Sequence, residues 1–443
     1  MKKFLNLSLL VAVLFGVLPT NHSYAADREH TLKVYNWADY IDESLLEEFE
    51  VWYKEQTGEE VEIIYQLFDI NEVMLAKLEK GHEDFDVVCP SEYIIDRMLA
   101  NDMLLPIPRD FGNTPDYISL VSPYVIDQFA RMDKEGKPAN DYAVGYMWGT
   151  TGILYNPEYV TDEEVDSWGI IWDDRFEGKI LMKDAYRDIF GPMLMYARYQ
   201  DILDGKVTRE QLMNDSSDEA IATVENLLKA AKKNIAGWEV DFGKEMMTKK
   251  KAYMNVSWSG DAVWAIDEAA AIGMTLKYHV PREGSNVWFD GWVIPKYAVN
   301  TKAASYFINF MCMPENALRN MDEIGYVSVI ASPEILEAKI DSSLNEYIDL
   351  TYFFGEEADS VPVNSIQYPD QSVIDRAALM RDCGSRTKNM LELWSRVKGD
   401  NLESWVIILI VVVLGGAIAW GIYNKMQQKK RQAKRKKKSQ RRR

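Results

Sequence analysis

At 443 residues, with 69 acidic against 50 basic side chains and a net charge of −19, the chain is long enough for two ordinary domains and too acidic to suggest nucleic acid as a partner. Three cysteines, Cys89, Cys312 and Cys383, are too scattered for a disulfide framework, and Cys89 and Cys312 lie in apolar runs that read as buried thiols. Past the first residues only His30, His82 and His279 remain, without metal-ligand spacing, and no Gly-x-Ser-x-Gly or phosphate-binding glycine loop occurs, so no metal and no cofactor is expected.

Lys2 and Lys3 ahead of the apolar run 5–18, then Ser23, Tyr24 and Ala25, predict a signal peptide over 1–25 and export. Leu32, Lys33, Val34 and Tyr35 alternate as a first strand. A loop with Trp37, Asp39 and Tyr40 follows, and Leu45, Leu46, Phe49 and Trp52 keep helical spacing up to Gly58. A strand is predicted over 61–65. A helix follows over 71–80, its amphipathic face made by Val73, Met74, Ala76, Lys77 and Leu78. The buried-type strand 85–88 then ends before Pro90, Ser91, Glu92 and Tyr93. This alternation implies a largely parallel sheet with helices on both faces, whose ligands sit at the carboxyl ends of the strands. Read alone, Tyr93 is helix-start packing.

Residues 110–139 read as loops and short helices, and 142–156 as a strand crossing into a second lobe. The strand 180–182 leads through Asp184 to Asp188, where a helix opens. Helical patterns fill 209–233. The strand 252–256 ends at Trp258, Ser259, Gly260 and Asp261 and leads into a helix. The aromatic-rich stretch 287–295 holds Trp288 and Asp290, and helices alternate with loops over 302–398.

Residues 405–423 carry no charge, and nineteen residues of helix span about 28 Å, the thickness of a bilayer's hydrocarbon core. Trp405, Trp420 and Tyr423 sit near its ends. Twelve Lys or Arg and no acid follow, so 405–423 is expected to be a transmembrane helix and 424–443 a basic cytoplasmic tail against anionic lipid. Apart from the two leader lysines and these twelve, 36 basic residues face 69 acidic ones, leaving the exported body at −33. Such a body suits a cationic ligand.

Five loops share one composition: Trp37, Asp39 and Tyr40; Ser91 and Tyr93; Asp188; Trp258 and Asp261; Trp288 and Asp290. Carboxylates hold ammonium groups and aromatic faces line a methylene chain, so the set fits an α,ω-diamine. A glycosidase would also want paired carboxylates beside aromatics, and spacing alone does not separate the two.

Together the motifs resemble the periplasmic spermidine/putrescine-binding proteins of polyamine ABC transporters over about 32–398. They are Tyr35-Asn36-Trp37 with Tyr40; Asp86 with Pro90, Ser91 and Tyr93; Asn71 to Leu78; Ser167-Trp168 with Trp172; Arg187-Asp188-Ile189-Phe190; Trp258 to Asp261; Trp288 to Asp290; and Ile324-Gly325-Tyr326. The resemblance implies an α/β, two-lobe periplasmic-binding-protein fold of type II, followed here by the single C-terminal transmembrane helix. Lobe 1 would hold 27–142 with 289–336, and lobe 2 would hold 143–288 with 337–400. It implies a non-enzymatic receptor on the extracytoplasmic face of the membrane that takes putrescine or spermidine and delivers it to ABC permease subunits. Implied ligand contacts are Trp37, Asp39, Tyr40, Ser91, Tyr93, Asp188, Trp258, Asp261, Trp288, Asp290 and Tyr326. Asp39 and Asp261 match putrescine-type members, whereas Trp288 is the larger aromatic of spermidine-type ones. Asp188 stands where the family usually has Glu, and Met380 where spermidine binders have an amide. The rivals are a receptor or sensor for another small organic cation or an amino acid, and an exported glycosidase.

Overall fold

The computed structural model of the chain describes residues 28–399. The expected signal peptide, membrane span at 405–423 and basic tail lie outside them. Among the described residues no helix is long and apolar enough to cross a membrane. Two units are distinguishable, a large one of 28–215 with 233–384 and a small one of 216–232 with 385–399.

The large unit begins with β1 (Thr31–Trp37), in which Leu32, Val34 and Tyr35 are buried. Helix α1 (Ser44–Thr57) ends at Gly58, whose φ of +76° suits glycine and closes the last turn. Next come β2 (Glu62–Phe68), α2 (Asn71–Gly81), β3 (Val87–Val88), α3 (Glu92–Ala100) and β4 (Leu104–Leu105). β1 pairs in parallel with both β2 and β3, the arrangement that the β-α-β-α-β order implies. α2 buries Met74 and Leu78 of the expected face but turns Val73 outward. Asn71, Met74, Leu75 and Leu78 are buried at i, i+3, i+4 and i+7, and Val73 is 54% exposed.

The two longest strands organise the rest. β5 (Ala143–Tyr155) is buried over all thirteen residues, as expected of a strand that crosses between lobes with both faces covered. Beyond it lie β6 (Ile180–Lys183), α4 (Tyr186–Ala197), β7 (Ile235–Glu239), β8 (Met254–Trp258), α5 (Ser259–Ala271), β9 (Lys277–His279) and β10 (Ser285–Pro295), the last also buried throughout. β11 (Val327–Ser328) and β12 (Ala377–Leu379) complete the strands. The first half of β5 runs antiparallel to β10, and its second half pairs with β8 and β9. β6 lies parallel to both β7 and β8. The sheet order is therefore β2-β1-β3-β10-β5-β8-β6-β7. Two parallel α/β halves are joined by antiparallel crossing strands, and the carboxyl ends of β1, β3, β6 and β8 carry the loops singled out in the sequence.

Five short strands, β4, β7, β9, β11 and β12, have no counterpart in the sequence reading. At two to five residues each, they carry too little alternation to register. The helical patterns over 209–233 form two helices, Arg209–Met213 and Asp218–Ala231, capped by Thr208 and Ser217. Cys89 and Cys312 are buried free thiols, as expected, and Cys383 is also free.

The small unit contains the helices Asp218–Ala231 and Thr387–Gly399. Arg396 grips Glu225 at 3.0 and 2.7 Å, and with Lys229 it lowers that carboxyl's pKa to about 2.

Candidate functional site

Asp290 sits at an irregularity in the β5–β10 ladder. Asp290 opposes Met147 but Gly291 opposes Gly145, so Tyr146 is an extra residue on β5. Bulges of this kind bend a strand and re-aim side chains. The Tyr146 hydroxyl donates to the Tyr40 carbonyl at 2.9 Å, fixing the loop after β1. From that loop the Tyr40 hydroxyl donates to Asp290 Oδ2 at 2.8 Å, and Ser91 Oγ, at the exit of β3, donates to Oδ1 at 2.7 Å. Burial pushes the Asp290 carboxyl up to about 7, and the two hydroxyls hold it from rising further while Asp188 adds to the rise.

Asn71 holds Ser91 from behind: its Nδ2 donates to Ser91 Oγ at 3.0 Å and to the Tyr93 hydroxyl at 3.1 Å. Tyr93 in turn donates to Glu72 Oε1 at 3.0 Å. Tyr93 is thus buried and polar-anchored, more than helix-start packing requires.

On the other half, three donors converge on one oxygen of Asp188 at the start of α4. Asn286 Nδ2 lies at 2.8 Å, Trp258 Nε1 at 3.1 Å and Thr151 Oγ1 at 3.4 Å from Oδ1, and Oδ2 accepts none of them. Burial raises the pKa of this carboxyl too, against the pull of Asn286 and Trp258. Met380 packs beside it, its sulfur 3.8 Å from Asn286 Nδ2. Among the described residues no Lys or Arg forms an ion pair with Asp290 or Asp188.

The wall between these carboxylates is aromatic. Tyr326 stands edge-on to Tyr40 with ring centroids 5.1 Å apart and to Trp288 at 5.6 Å. Trp288 lies over Gly149, where a Cβ would come within 2.7 Å of its ring. Tyr326 covers Gly260 still more closely, and its hydroxyl donates to Asp261 Oδ1 at 2.9 Å.

Asp261 differs from the other two acids. Its Oδ2 lies 2.5 Å from Lys183 Nζ, at the carboxyl end of β6. The residue expected to receive a ligand ammonium already holds a side-chain ammonium. The remaining two expected contacts stand apart from these hydrogen-bonded groups. Trp37 packs on Phe68 at 4.5 Å, and Asp39 is exposed in a left-handed conformation, φ +49°.

Sequence reasoning missed Lys183, Glu72, Glu92 and Asn286. Lys183 had one signal, a lone charge ending the apolar strand Ile180, Leu181, Met182. Glu92 had none. It is fully buried and accepts from the Phe289 amide at 3.1 Å, behind the site, and burial drives its pKa well up.

Comparison with known proteins bears on this cleft. The family described as bacterial extracellular solute-binding protein matches residues 45–340. The spermidine/putrescine-binding periplasmic protein of Escherichia coli is 27% identical over 391 residues, 86% of this chain and 96% of that one. The putrescine-binding periplasmic protein PotF of Escherichia coli is 28% identical over 331 residues, 72% and 81% of the two chains. Among solved structures, a putative spermidine/putrescine ABC transporter from Listeria monocytogenes superposes with a TM-score of 0.66 at 29% identity, over 83% of this chain and 99% of that one. The Streptococcus pneumoniae spermidine/putrescine ABC transporter substrate-binding protein PotD gives 0.60 at 28% identity, over 83% and 98%.

Proposed function

The chain belongs to the bacterial extracellular solute-binding protein family, and we propose that within it this member captures polyamines and hands them to a separate ABC permease. The observation that carries the reading is Asp290, a buried carboxylate held by two hydroxyls beside an aromatic wall, with no Lys or Arg among the described residues paired to it. An isolated buried carboxylate is costly, and an ammonium from a ligand removes that cost. Asp188 supplies a second such group in the opposite half. Two separated carboxylates match the two ends of a diamine, whose methylenes contribute ~0.8 kcal/mol each on burial against Trp288 and Tyr326. Cation–π contact adds ~0.5–2 kcal/mol.

Putrescine and spermidine both fit this description, with putrescine equal or slightly favoured. No reaction is involved; binding shifts the balance between open and closed lobes. Residues 405–423 serve as the tether to the membrane, with the body on its outer face. The relatives named for polyamine binding support this reading over a glycosidase. Native mass spectrometry of the purified protein, with calorimetric titration of putrescine, spermidine and a neutral sugar, tests it. A bound di- or triamine and saturable polyamine binding are expected. A sugar that binds while both polyamines do not would overturn the proposal.

A further inference from the structure

The charge of Lys183 is wholly enclosed, its side chain 1% exposed. Its Nζ lies 2.5 Å from Asp261 Oδ2, 2.6 Å from the Val240 carbonyl and 3.0 Å from Glu239 Oε1, with the Trp258 ring centroid at 4.3 Å. Two carboxylates, a carbonyl and an indole face are what a primary ammonium needs. The partners are themselves held. Tyr326 donates to Asp261, and the Gly243 amide and Asn255 donate to Glu239 at 2.9 and 3.1 Å. Burial disfavours the Lys183 charge, but Asp261 and Glu239 outweigh it and hold the pKa above that of an ordinary lysine.

Side-chain contacts link this ammonium pocket to both carboxylates of the site. The indole that carries Lys183 on its face donates its N–H to Asp188, and the tyrosine that binds Asp261 packs on Tyr40, which holds Asp290. We infer that Lys183 is a built-in substitute for a ligand ammonium: it fills a third amine subsite and thereby favours ligands carrying two well-separated positive charges over those carrying three. A third ammonium brought along the wall meets the positive charge of Lys183 where it would need a carboxylate.

The inference rests on the polyamine reading. A lysine that only stitches β6 to α5 would, when removed, weaken every ligand alike. A substitute ammonium predicts that removing it changes the ratio between ligands. The full chain carrying K183M should therefore be titrated with putrescine and spermidine beside the natural protein. The ratio of the two Kd values should move toward spermidine by tenfold or more. K183M with D261N, which removes the vacated carboxylate, should return the ratio toward its natural value. A folded K183M whose ratio stays within twofold of the natural one overturns the inference. If K183M melts far below the natural protein, restoration of its Tm by spermidine beyond that by putrescine supports the inference, and equal restoration or none overturns it. Natural protein that binds neither polyamine overturns the polyamine reading, and K183M that then gains spermidine binding still supports the role of Lys183.

Discussion

At the scale of single residues, Asp290 and Asp261 show how one residue type takes two roles. Both are buried aspartates, each accepting from a tyrosine hydroxyl, but among the described residues only Asp261 has a cationic partner. Replacing Asp290 by Asn should leave the protein folded and weaken polyamine binding by roughly 2–5 kcal/mol, because the ammonium loses its charged partner; calorimetry at pH 8 measures it. The raised pKa, about 7 when the site is empty, also has a definite sign. Between about pH 4, the unfolded value, and pH 7 the folded protein holds a proton that the unfolded chain has lost. Empty protein should therefore gain up to about 1.4 kcal/mol per pH unit from this group on acidification through that window, and Asp290→Asn should abolish the gain. Ligand binding runs the other way. It requires the carboxylate, so affinity should be flat above pH 7 and fall by up to about tenfold per unit below it, with proton release near pH 7 in calorimetry. Affinity that rises on acidification would contradict this assignment.

At the scale of elements, the site depends on strand and helix ends that lack side chains where rings must approach. Gly260 is the second residue of α5, and a Cβ there would lie 2.3–2.4 Å from the Tyr326 ring. Gly260→Ala should cost about 1–3 kcal/mol of stability through overpacking and push Tyr326 off Asp261. Urea unfolding with a parallel polyamine titration should register both losses, and unchanged stability would show that the ring moves without cost. The bulge at Tyr146 works in the same way on β5. It adds one residue, and its hydroxyl ties the β1 loop to the strand that carries Asp290.

At the scale of the large unit, α2 and α4 meet across the cleft. Glu72 on α2 accepts from the Tyr93 hydroxyl in its own half and interacts electrostatically with Tyr186 at the start of α4, while the Arg187 guanidinium lies 5.9 Å over the Tyr93 ring. Both interactions join the half that carries Asp290 to the half that carries Asp188, so Tyr186→Phe should weaken polyamine affinity by about 0.5–1.5 kcal/mol, mainly through a faster off-rate. Stopped-flow tryptophan fluorescence follows it, because Trp258 and Trp288 line the wall that ligand would contact. Polyamine should give a saturable signal and a neutral sugar none. An equal response to sugar would favour carbohydrate recognition.

The sequence alone determined the α/β order, the long crossing strand at 142–156, the buried thiols and the loops at the carboxyl ends of β1, β3 and β8. Each of these is written in local periodicity or in residues adjacent along the chain. Tyr40, Ser91, Tyr93, Asp188, Trp258, Trp288, Asp290 and Tyr326 could all be picked out from composition and family resemblance, and the fold gathers them. Tertiary structure alone decided what each acid meets. Lys183 and Asp261 are 78 residues apart, and Ser91 and Asp290 are 199 apart. No local pattern records such partners, because whether a buried carboxylate is neutralised from within or left for a ligand depends on which strand ends the sheet order brings together.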